Sequence, residues 1–458
     1  MKILLLGAGS VGVSLAENLA REQNDIVVID HNANYLKDLA DRLDIATVCG
    51  PASHPNILHK AGAEDADMLI AVTDSDEINM LACQLAHTLF RVTTKICRVR
   101  SNAYLMHEDE LFQRDAIPID HVISPEKLVT KYIKSLLDHP GALQVVDFAE
   151  GRLRMVAVKA FYGAPIVDQA LNQIPEHMPN LDTRVAAIYR QDHSIIPEGD
   201  TVVQVDDEVF FIAATEHVAP MMTELRGQDK PYKRIMIVGG SNIGSRLAQS
   251  IESKYQVKIV ERNIQRCEQL SELLHRTIVL NGEPSDKDLL ASENIDTCDV
   301  FCALTDDDED NIMSSLLAKR LGANKVICLI RNTAYVDLVQ GHDIDIAISP
   351  QQITTGNLLK HARRGEMSNV YSLRRGAAEA VEIIAKGDSK TSKVVGRRIE
   401  DIRLPDGVTI GAIARGNEVI IAHRYVTIEN DDHVICFLVD KSRIREVEKL
   451  FQVGFTFI

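Results

Sequence analysis

The sequence predicts an α/β protein in which two doubly wound parallel-sheet domains, Rossmann-like in type, are each followed by a small α+β domain. Three observations support this prediction. The chain of 458 residues contains an internal repeat of about 230 residues. The first part of each repeat alternates apolar runs with amphipathic stretches, and the second part changes to paired strand-like segments. One two-domain unit is therefore used twice.

The repeat is visible when the chain is compared with itself. GAGSVG at 7–12 recurs as GGSNIG at 239–244, and LIAVTDSDEINM at 69–80 recurs as FCALTDDDEDNI at 301–312. The match continues into the second part, where Arg190 and Asp207 correspond to Arg415 and Asp432. The nearly constant spacing indicates a duplication of whole domains, not a solenoid of short repeats.

The predicted elements of the first repeat follow one another in order. The apolar runs KILLLG, DIVVID, IATVCG, DMLIAV, KICRVR and AIPIDHVIS predict six strands, and amphipathic stretches such as VGVSLAENLA and DEINMLACQLAHTL predict the helices between them. This alternation is typical of a parallel sheet covered on both faces. From about Leu143, pairs such as RVAAIYR and HSIIP are separated by turn residues, which predicts a smaller α+β domain.

Four domains in two pairs follow from this pattern. We predict parallel-sheet nucleotide-binding domains at 1–130 and 232–358, and small α+β domains at 140–225 and 369–453. The polar segment RGQDKPYK at 226–233 is the predicted linker between the two repeats.

Charge and composition exclude several classes of partner. The 66 acidic and 50 basic side chains give a net charge of −16, which disfavours sequence-independent binding to nucleic acid or to an anionic membrane. No apolar run reaches the roughly 18 residues of a membrane span, and the N-terminus enters a strand-like run without a signal peptide. We expect a cytoplasmic protein without direct membrane insertion. The cysteines and histidines predict no metal site.

The loop GAGSVG has the pattern of a dinucleotide-binding turn between a strand and a helix. Gly7 permits the tight turn, Gly9 allows a pyrophosphate to approach the backbone, and Gly12 allows close packing of the helix on the strand. The predicted binding residues of this loop are Gly7, Ala8, Gly9, Ser10, Val11 and Gly12. Asp30 ends the next strand and can accept hydrogen bonds from a ribose diol, which favours NAD(H) over NADPH. The alternative is a tight turn with no ligand.

The second repeat keeps this pattern with two changes. Its predicted binding residues are Gly239, Gly240, Ser241, Asn242, Ile243, Gly244 and Glu261. Ser241 replaces the middle glycine, so a Cβ atom stands where the backbone should approach phosphate. Glu261 replaces Asp30 with the same charge and a longer reach. The alternative here is a preserved fold with weak or altered nucleotide affinity.

Polar residues follow the fourth predicted strand of each repeat, at the sheet edge where ligands of doubly wound folds lie. Thr73 and Asp74 stand there in the first repeat, and Thr305 with Asp306 in the second. Arg98 could meet a phosphate or an acidic residue of a neighbouring subunit, and the second repeat has Leu329 in its place. The acidic runs 74–77 and 306–310 fit the first turn of a helix, where carboxylates complement the helix dipole; a bound cation or a regulatory role is the alternative.

No catalytic residue is predicted. The sequence contains neither a phosphoryl-transfer loop of the GxxxxGK[ST] type nor a Gly-x-Ser-x-Gly elbow. Each small domain is too short to supply the substrate pocket of a dehydrogenase. Nucleotide binding without visible chemistry suggests a sensor. The rival hypotheses are an NAD-dependent oxidoreductase and a redox-sensing transcription factor, the latter without a visible helix-turn-helix.

The segments KILLLGAGSVG, VVID, DMLIAVTDSDEINM, IDHVISPE and GDTVVQVDDEVFFIA closely resemble the regulators of potassium conductance, the RCK or KTN family. The resemblance covers essentially the whole chain, and the tandem arrangement is similar to the peripheral subunits of bacterial potassium uptake systems. It implies a non-enzymatic gating protein that binds NAD(H), and also ATP or ADP, at the residues given above. It further implies a homo-oligomeric ring beneath a membrane-embedded, channel-like potassium transporter subunit, and hence peripheral association with the inner face of the cell membrane.

Overall fold

The structure, a computed structural model, describes residues 1–22, 24–179, 181–191, 193–227, 229–339, 344–362 and 367–453. Gln228 of the predicted linker thus lies outside the described residues. The chain forms two compact units: unit 1 is Met1–Leu128 with Pro350–Arg364, and unit 2 is Val129–Ser349 with Gly365–Ile458.

The first sheet is parallel and has six strands in the order β3-β2-β1-β4-β5-β6. Its strands are β1 (Lys2–Leu6), β2 (Asp25–Asp30), β3 (Ala46–Cys49), β4 (Met68–Ala71), β5 (Thr94–Arg98) and β6 (His121–Ile123). The helices of this segment are α1 (Ser10–Arg21), α2 (Ala33–Arg42), α3 (Pro55–Lys60), α4 (Asp76–Thr88), α5 (Asn102–Leu105), α6 (Glu108–Leu111) and α7 (Pro125–Asp138).

Both faces of this sheet are buried, as the sequence predicted. Along β1, Leu4 and Leu6 enter the core on one face, while Ile3 and Leu5 enter the core on the other. This follows from the two-residue period of a strand, and it explains why parallel strands of this type are apolar throughout. The strand order places the ligand-binding edge between β1 and β4, where the direction of winding changes.

Three further sheets belong to unit 2, and the first two in chain order are one antiparallel and one parallel sheet. The antiparallel one, in the order β10-β9-β11-β8-β7, contains β7 (Ala142–Phe148), β8 (Leu153–Lys159), β9 (Thr183–Arg190), β10 (His193–Ile195) and β11 (Glu208–Ala214), with α8 (Ile174–His177) and α9 (Val218–Arg226). The parallel one, in the order β14-β13-β12-β15-β16-β17, contains β12 (Arg234–Val238), β13 (Gln256–Glu261), β14 (Ile278–Asn281), β15 (Val300–Ala303), β16 (Lys325–Leu329) and β17 (Ile346–Ile348). Its helices are α10 (Asn242–Ile251), α11 (Ile264–Leu273), α12 (Lys287–Ser292), α13 (Asp308–Arg320) and α14 (Thr333–Val339).

Helix α15 (Pro350–Ala362) follows β17 in the chain but is part of unit 1. Leu358 and Leu359 are buried in the same core as Leu15 and Leu19 of α1. The corresponding helix of the first repeat, α7, has its residues from Val129 onward in unit 2. There the hydroxyl of Tyr255 donates a hydrogen bond of 3.2 Å to the carbonyl of Leu137.

The fourth sheet is antiparallel and repeats the topology of the second, in the order β18-β19-β22-β20-β21. It contains β18 (Met367–Leu373), β19 (Ala378–Ile384), β20 (Val408–Arg415), β21 (Glu418–Ile421) and β22 (His433–Leu438), followed by α16 (Ile444–Phe451). The two antiparallel sheets share a core in which Phe210 and Phe437 lie with ring centroids 5.3 Å apart. The predicted fold class, two doubly wound parallel sheets each followed by a small α+β domain, is confirmed.

Candidate functional site

The loop 7–12 joins β1 to α1, and its outer glycines are required by the backbone. Gly7 has a φ of +104°, and a Cβ there would lie 3.0 Å from the nitrogen of Thr73. A Cβ at Gly12 would lie 1.9 Å from the carbonyl oxygen of Gly7, so only glycine lets α1 start this close to the strand. A Cβ at Gly9 would meet no described atom within 4 Å. The space over the middle of the loop is therefore open to a ligand.

Asp30 ends β2 beside this loop and holds its backbone. One carboxylate oxygen accepts a hydrogen bond of 2.7 Å from the nitrogen of Ala8, and the other accepts one of 2.8 Å from the nitrogen of Asn32. The Nδ1 of His31 lies 3.3 Å from the oxygen that accepts from Asn32. The oxygen that accepts from Ala8 keeps a second lone pair, which a ribose hydroxyl could use. The carboxylate therefore fixes the loop in addition to the ligand role that the sequence predicts.

The helix that follows the loop starts at Ser10, and Val11 is buried against the sheet. The carbonyl of Ser10 accepts a hydrogen bond of 2.9 Å from the side-chain amide of Gln351, in α15. A residue from the far end of the chain thus contacts the predicted phosphate-binding loop within unit 1.

Thr73, after β4, is held by a residue that the sequence analysis did not place in the site. The nitrogen and the hydroxyl of Thr73 both donate to the side-chain oxygen of Asn79, at 2.9 and 2.6 Å. The amide of Asn79 donates in turn to the carbonyls of Thr73 and Arg98, at 3.1 and 3.0 Å. The retention of asparagine at this position in both repeats was the available signal.

Arg98 ends β5 with its side chain about one-tenth exposed. Its guanidinium donates to the carbonyl of Thr73 at 2.7 Å and to the exposed carboxylate of Asp74 at 3.1 Å. Its Nε is buried without a hydrogen-bond partner among the described residues. Burial, and then the nearby charge of Arg100, lower the pKa of Arg98. The structure therefore brings Thr73, Asp74 and Arg98 together at the edge that also carries the glycine loop.

Residues of the acidic run after Thr73 form hydrogen bonds with the first turn of α4 and with the backbone that follows β5. Ser75 caps α4 by accepting a hydrogen bond of 3.2 Å from the nitrogen of Ile78. One oxygen of Asp76 accepts from the nitrogens of Arg100 and Ser101, at 2.9 and 2.7 Å. In the second repeat Asp307 caps α13. These contacts agree with the first-turn interpretation of the acidic residues.

The loop 239–244 of unit 2 has the same construction. Gly239 has a φ of +98°, and a Cβ at Gly244 would lie 2.0 Å from the carbonyl oxygen of Gly239. Glu261, the counterpart of Asp30, accepts hydrogen bonds of 2.7 Å from the nitrogen of Gly240 and 2.8 Å from the nitrogen of Asn263. The longer glutamate thus holds its loop in the same way.

Ser241 fits the loop without changing its path. Its φ and ψ are −62° and −179°, against −72° and −175° for Gly9, so the backbone conformation does not need glycine. Its hydroxyl donates a hydrogen bond of 3.0 Å to the carbonyl of Leu304. The serine therefore occupies space over the loop that Gly9 leaves open. Asn242 and Ile243 begin the following helix, and Ile243 is buried.

Thr305 repeats the arrangement of Thr73. Its nitrogen and hydroxyl both donate to the side-chain oxygen of Asn311 at 2.8 Å, and Asn311 donates to the carbonyl of Leu329 at 3.0 Å. The two asparagines are fully buried. Since the second repeat has Leu329 in place of Arg98, the asparagine arrangement does not depend on the arginine.

A cavity of about 380 Å³ opens over the second loop. Some of its lining residues were predicted from the sequence to bind nucleotide, and others were not. The lining consists of Gly239, Gly240, Ser241, Val260, Glu261, Arg262, Asn263, Arg266, Pro284, Thr305, Asp306 and Asp310. Arg262 and Arg266 were not predicted from the sequence. Their places shortly after Glu261 were a usable signal, because an arginine near a ribose-binding acid can lie close to the sugar.

Among the described residues, no group of three or more histidine, cysteine, aspartate or glutamate side chains is arranged to hold a metal ion. In the same part of the chain, no helix is both long and apolar enough to cross a membrane.

Each of the two repeats thus consists of a Rossmann-like parallel sheet and a small antiparallel sheet, with a glycine loop and a carboxylate that accepts hydrogen bonds from the loop. The TrkA-N domain family matches residues 3–125 and 235–350, and the TrkA-C domain family matches 155–225 and 389–452. The chain belongs to the TrkA family.

Full-length relatives agree with this assignment. The chain is 62% identical to the Trk system potassium uptake protein TrkA of Halomonas elongata, over 100% of both chains. It is 59% identical to the protein of that name from Vibrio alginolyticus, over 99% of each, and 51% identical to that of Haemophilus influenzae, over 100% of each.

Solved structures agree in fold. The GsuK RCK domain is similar with a TM-score of 0.61 at 17% identity, over 98% of this chain and 94% of that chain. The GsuK channel bound to NAD is similar with a TM-score of 0.61 at 17% identity, over 98% of this chain and 78% of that chain. At this identity the likeness shows the fold alone.

Proposed function

We propose that this chain is a nucleotide-sensing regulatory subunit of a potassium uptake transporter. The observation that carries the proposal is 62% identity, over the full length, to a protein named for the Trk potassium uptake system. The nucleotide would bind at the two glycine loops, each of which is held by an acidic residue at the end of the next strand.

NAD(H) is the proposed ligand of the loop at Gly7–Gly12, with ATP or ADP as further ligands of the same or the second loop. Over Gly9 there is open space, so a pyrophosphate could approach the free N–H groups at the start of α1. Asp30 would accept hydrogen bonds from the ribose diol, and its charge would disfavour a 2′-phosphate. Arg98, which donates a hydrogen bond to the carbonyl of Thr73, would supply a positive charge for the phosphates at the same sheet edge.

The chain is proposed to bind nucleotide without converting it. Two polar side chains of the first site, Asn79 and Asp30, hold the backbone by accepting main-chain N–H groups. The alternative, an NAD-dependent oxidoreductase, rests on the fold that such enzymes share. It would require a placed acid or base and a substrate pocket beside the cofactor.

We propose that the partner is a membrane-embedded, channel-like subunit and that copies of this chain form a ring against it. The chain would then be cytoplasmic and held at the inner face of the cell membrane by that partner. A nucleotide can shift the ring only as far as its affinities for the two ring conformations differ. Asn79 contacts the ends of β4 and β5, so a nucleotide that moves Thr73 could also change the position of β5.

Reconstitution with the cognate membrane subunit tests the proposal. We expect potassium flux through the assembly to respond differently to NADH and to ATP, and neither nucleotide to be consumed. A flux insensitive to both nucleotides contradicts the sensing role. Turnover of NADH with a small substrate would favour the oxidoreductase instead. Limited proteolysis of the purified chain tests the proposed boundaries of four domains at 1–130, 140–225, 232–358 and 369–453.

A further inference from the structure

Lys325 is a buried lysine at the start of β16, in the parallel sheet of unit 2. The residue is 8% exposed, and its ammonium group donates one hydrogen bond, of 2.8 Å, to the carbonyl of Ala142. In the part of the chain that the structure describes, this group has no other acceptor and no carboxylate within 4.0 Å. An ammonium group carries three donors, so two of them lack a protein partner.

Lys95, in the first parallel sheet, shows how a buried lysine is compensated elsewhere in the chain. The residue is 3% exposed; its ammonium group lies 2.8 Å from the carboxylate of Asp120 and donates to two main-chain carbonyls. In the sheet of Lys325, the carboxylate of Asp345 accepts hydrogen bonds of 3.1 and 2.8 Å from Lys319 instead. The charge of Lys325 is therefore not compensated by an ion pair.

The segments packed around Lys325 bring charges of both signs close to it. Arg226, at the end of α9, and Asp229 form a bidentate ion pair of 2.7 and 3.2 Å. Because each nearby acid is already paired with another base, burial has the largest effect on the lysine. Burial lowers the pKa of Lys325 to about 8; the two acids act in the opposite direction, and the two bases act with burial. The charged or titratable groups that face it are Asp345, Arg226, Asp229, Lys319 and Cys302.

The hydrogen bond of Lys325 reaches a junction of three segments within unit 2. Ala142 begins β7 of the first small domain. Just before it, the nitrogen of Gly141 donates a hydrogen bond of 3.3 Å to the hydroxyl of Tyr232, in the segment that joins the two repeats. Gly141 has a φ of +87°, and a Cβ there would collide with the side chains of Asp229 and Arg226. The first small domain, the linker and β16 therefore meet at Gly141 and Ala142 without spare room.

Two further titratable groups at this junction keep their protons when Lys325 loses one. Burial raises the pKa of the Tyr232 hydroxyl to about 12. Burial also raises the pKa of the Cys302 thiol, on the neighbouring strand β15. A change in charge at the junction near pH 8 would therefore come from the lysine.

We propose that Lys325 is a proton-controlled contact between the first small domain and the second parallel sheet. The neutral amine lets β7 close on β16, whereas the ammonium group draws water into the junction and loosens the contact. The physical reason is that a buried charge with one neutral partner is costly until water or an acid reaches it. This inference goes beyond the proposed function, because it makes the contact between two domains depend on pH without any nucleotide.

The first experiment is a titration of the lysines in the intact chain. The ¹³C chemical shifts of the lysine Cε atoms are followed against pH, and the resonance that is missing from Lys325→Met identifies Lys325. We expect a midpoint near pH 8, since the folded chain holds this amine away from water. A midpoint at or above the ordinary value of 10.5 overturns the proposal.

The second experiment measures the contact itself, by hydrogen exchange of the peptides that contain Gly141 and Ala142, corrected for the intrinsic effect of pH on exchange. Opening of the junction takes up one proton between pH 8 and pH 10.5, so the opening equilibrium constant should fall by up to about tenfold per pH unit in this range. Lys325→Met should abolish this dependence. Lys95→Met, which also removes a buried ammonium group, is the matched control and should retain it.

The outcomes decide between a switch and a lysine that merely titrates. The same pH dependence in wild type and in Lys325→Met overturns the proposal, even if the midpoint lies near pH 8. Lys325→Arg stays charged, so exchange at the junction should be fast at every pH. If neither variant folds, the wild type decides, because protection that does not rise between pH 8 and pH 10.5 also overturns the switch. Neither experiment uses a nucleotide, so a failure of the proposed function would leave both results unchanged.

Discussion

Asn79 holds Thr73 through its main-chain nitrogen, its carbonyl and its hydroxyl at once. The same amide group reaches the carbonyl of Arg98, so one side chain joins the ends of two neighbouring strands at the ligand-binding edge. Asn311 makes the equivalent contacts with Thr305 and Leu329 in unit 2. Each asparagine is fully buried, so water cannot replace its hydrogen bonds.

Replacement of Asn79 by leucine tests whether this bond network positions the first site. The change leaves the nitrogen of Thr73 without its acceptor, which should cost about 1–3 kcal/mol of local stability. We expect faster hydrogen exchange at the end of β4 and weaker NADH binding. Asn311→Leu is the matched control and should change exchange only at the end of β15. Unaltered exchange in both variants would contradict the role assigned to the asparagines.

Replacement of Asp30 by alanine should weaken NADH binding at the first site by roughly 1.5–3 kcal/mol, because a charged acceptor of the ribose diol is lost. The variant also frees the nitrogen of Ala8, so the loss should include a less ordered loop. Titration calorimetry measures the affinity, and Glu261→Ala supplies the matched change in unit 2. An affinity equal to that of the wild type would mean that the diol is held elsewhere.

Alanine at Gly9 and at Gly12 should have different effects. At Gly12 the new Cβ would lie 1.9 Å from the oxygen of Gly7, so α1 must move and unit 1 should lose about 1–3 kcal/mol or more. At Gly9 the Cβ meets no described atom within 4 Å, so the chain should fold normally and bind NADH less tightly. Thermal melting and calorimetry measure the two effects. Normal NADH binding by Gly9→Ala would show that the ligand does not approach this part of the loop.

The rings of His121 and His361 stack within unit 1, with centroids 3.8 Å apart. Burial, and then the charges of His121 and Lys360, lower the pKa of His361 from 6.5 to about 4. Burial also lowers the pKa of His121, although Asp120 acts in the opposite direction. The folded protein binds a proton at these histidines less readily than the unfolded chain does, because their folded-state pKa is below the ordinary value. The free energy of unfolding is therefore highest above pH 6.5 and decreases as the pH falls toward 4.

We therefore expect the melting temperature to fall between pH 6.5 and pH 4, and His361→Phe to make that fall smaller because it keeps the stacked ring and removes the proton. Thermal melts across this range measure the effect. His275→Phe, the same substitution at an exposed position of unit 2, is the control. An identical pH profile in wild type and His361→Phe would contradict the assignment.

The sequence was sufficient to predict those positions at which the backbone geometry permits only one type of residue. Gly7 and Gly12 could be assigned because a Cβ collides at each, and the sheet could be assigned because strands buried on both faces are apolar throughout. It was insufficient where a side chain folds back on the main chain. Asn79 looks like any first-turn helix residue, and Arg266 like an exposed one, until their partners are known. Nor does any local pattern indicate that α15 is part of unit 1.

That last feature limits how the chain can be divided. A single cut near residue 228, between the repeats, would release a first half that lacks Leu358, Leu359 and the amide of Gln351 that contacts Ser10. The second half would lack the part of α7 whose carbonyl accepts a hydrogen bond from the hydroxyl of Tyr255. The two repeats, expressed separately, should therefore not fold independently. When both fragments of a gene split at this point are present together, we expect them to complement each other.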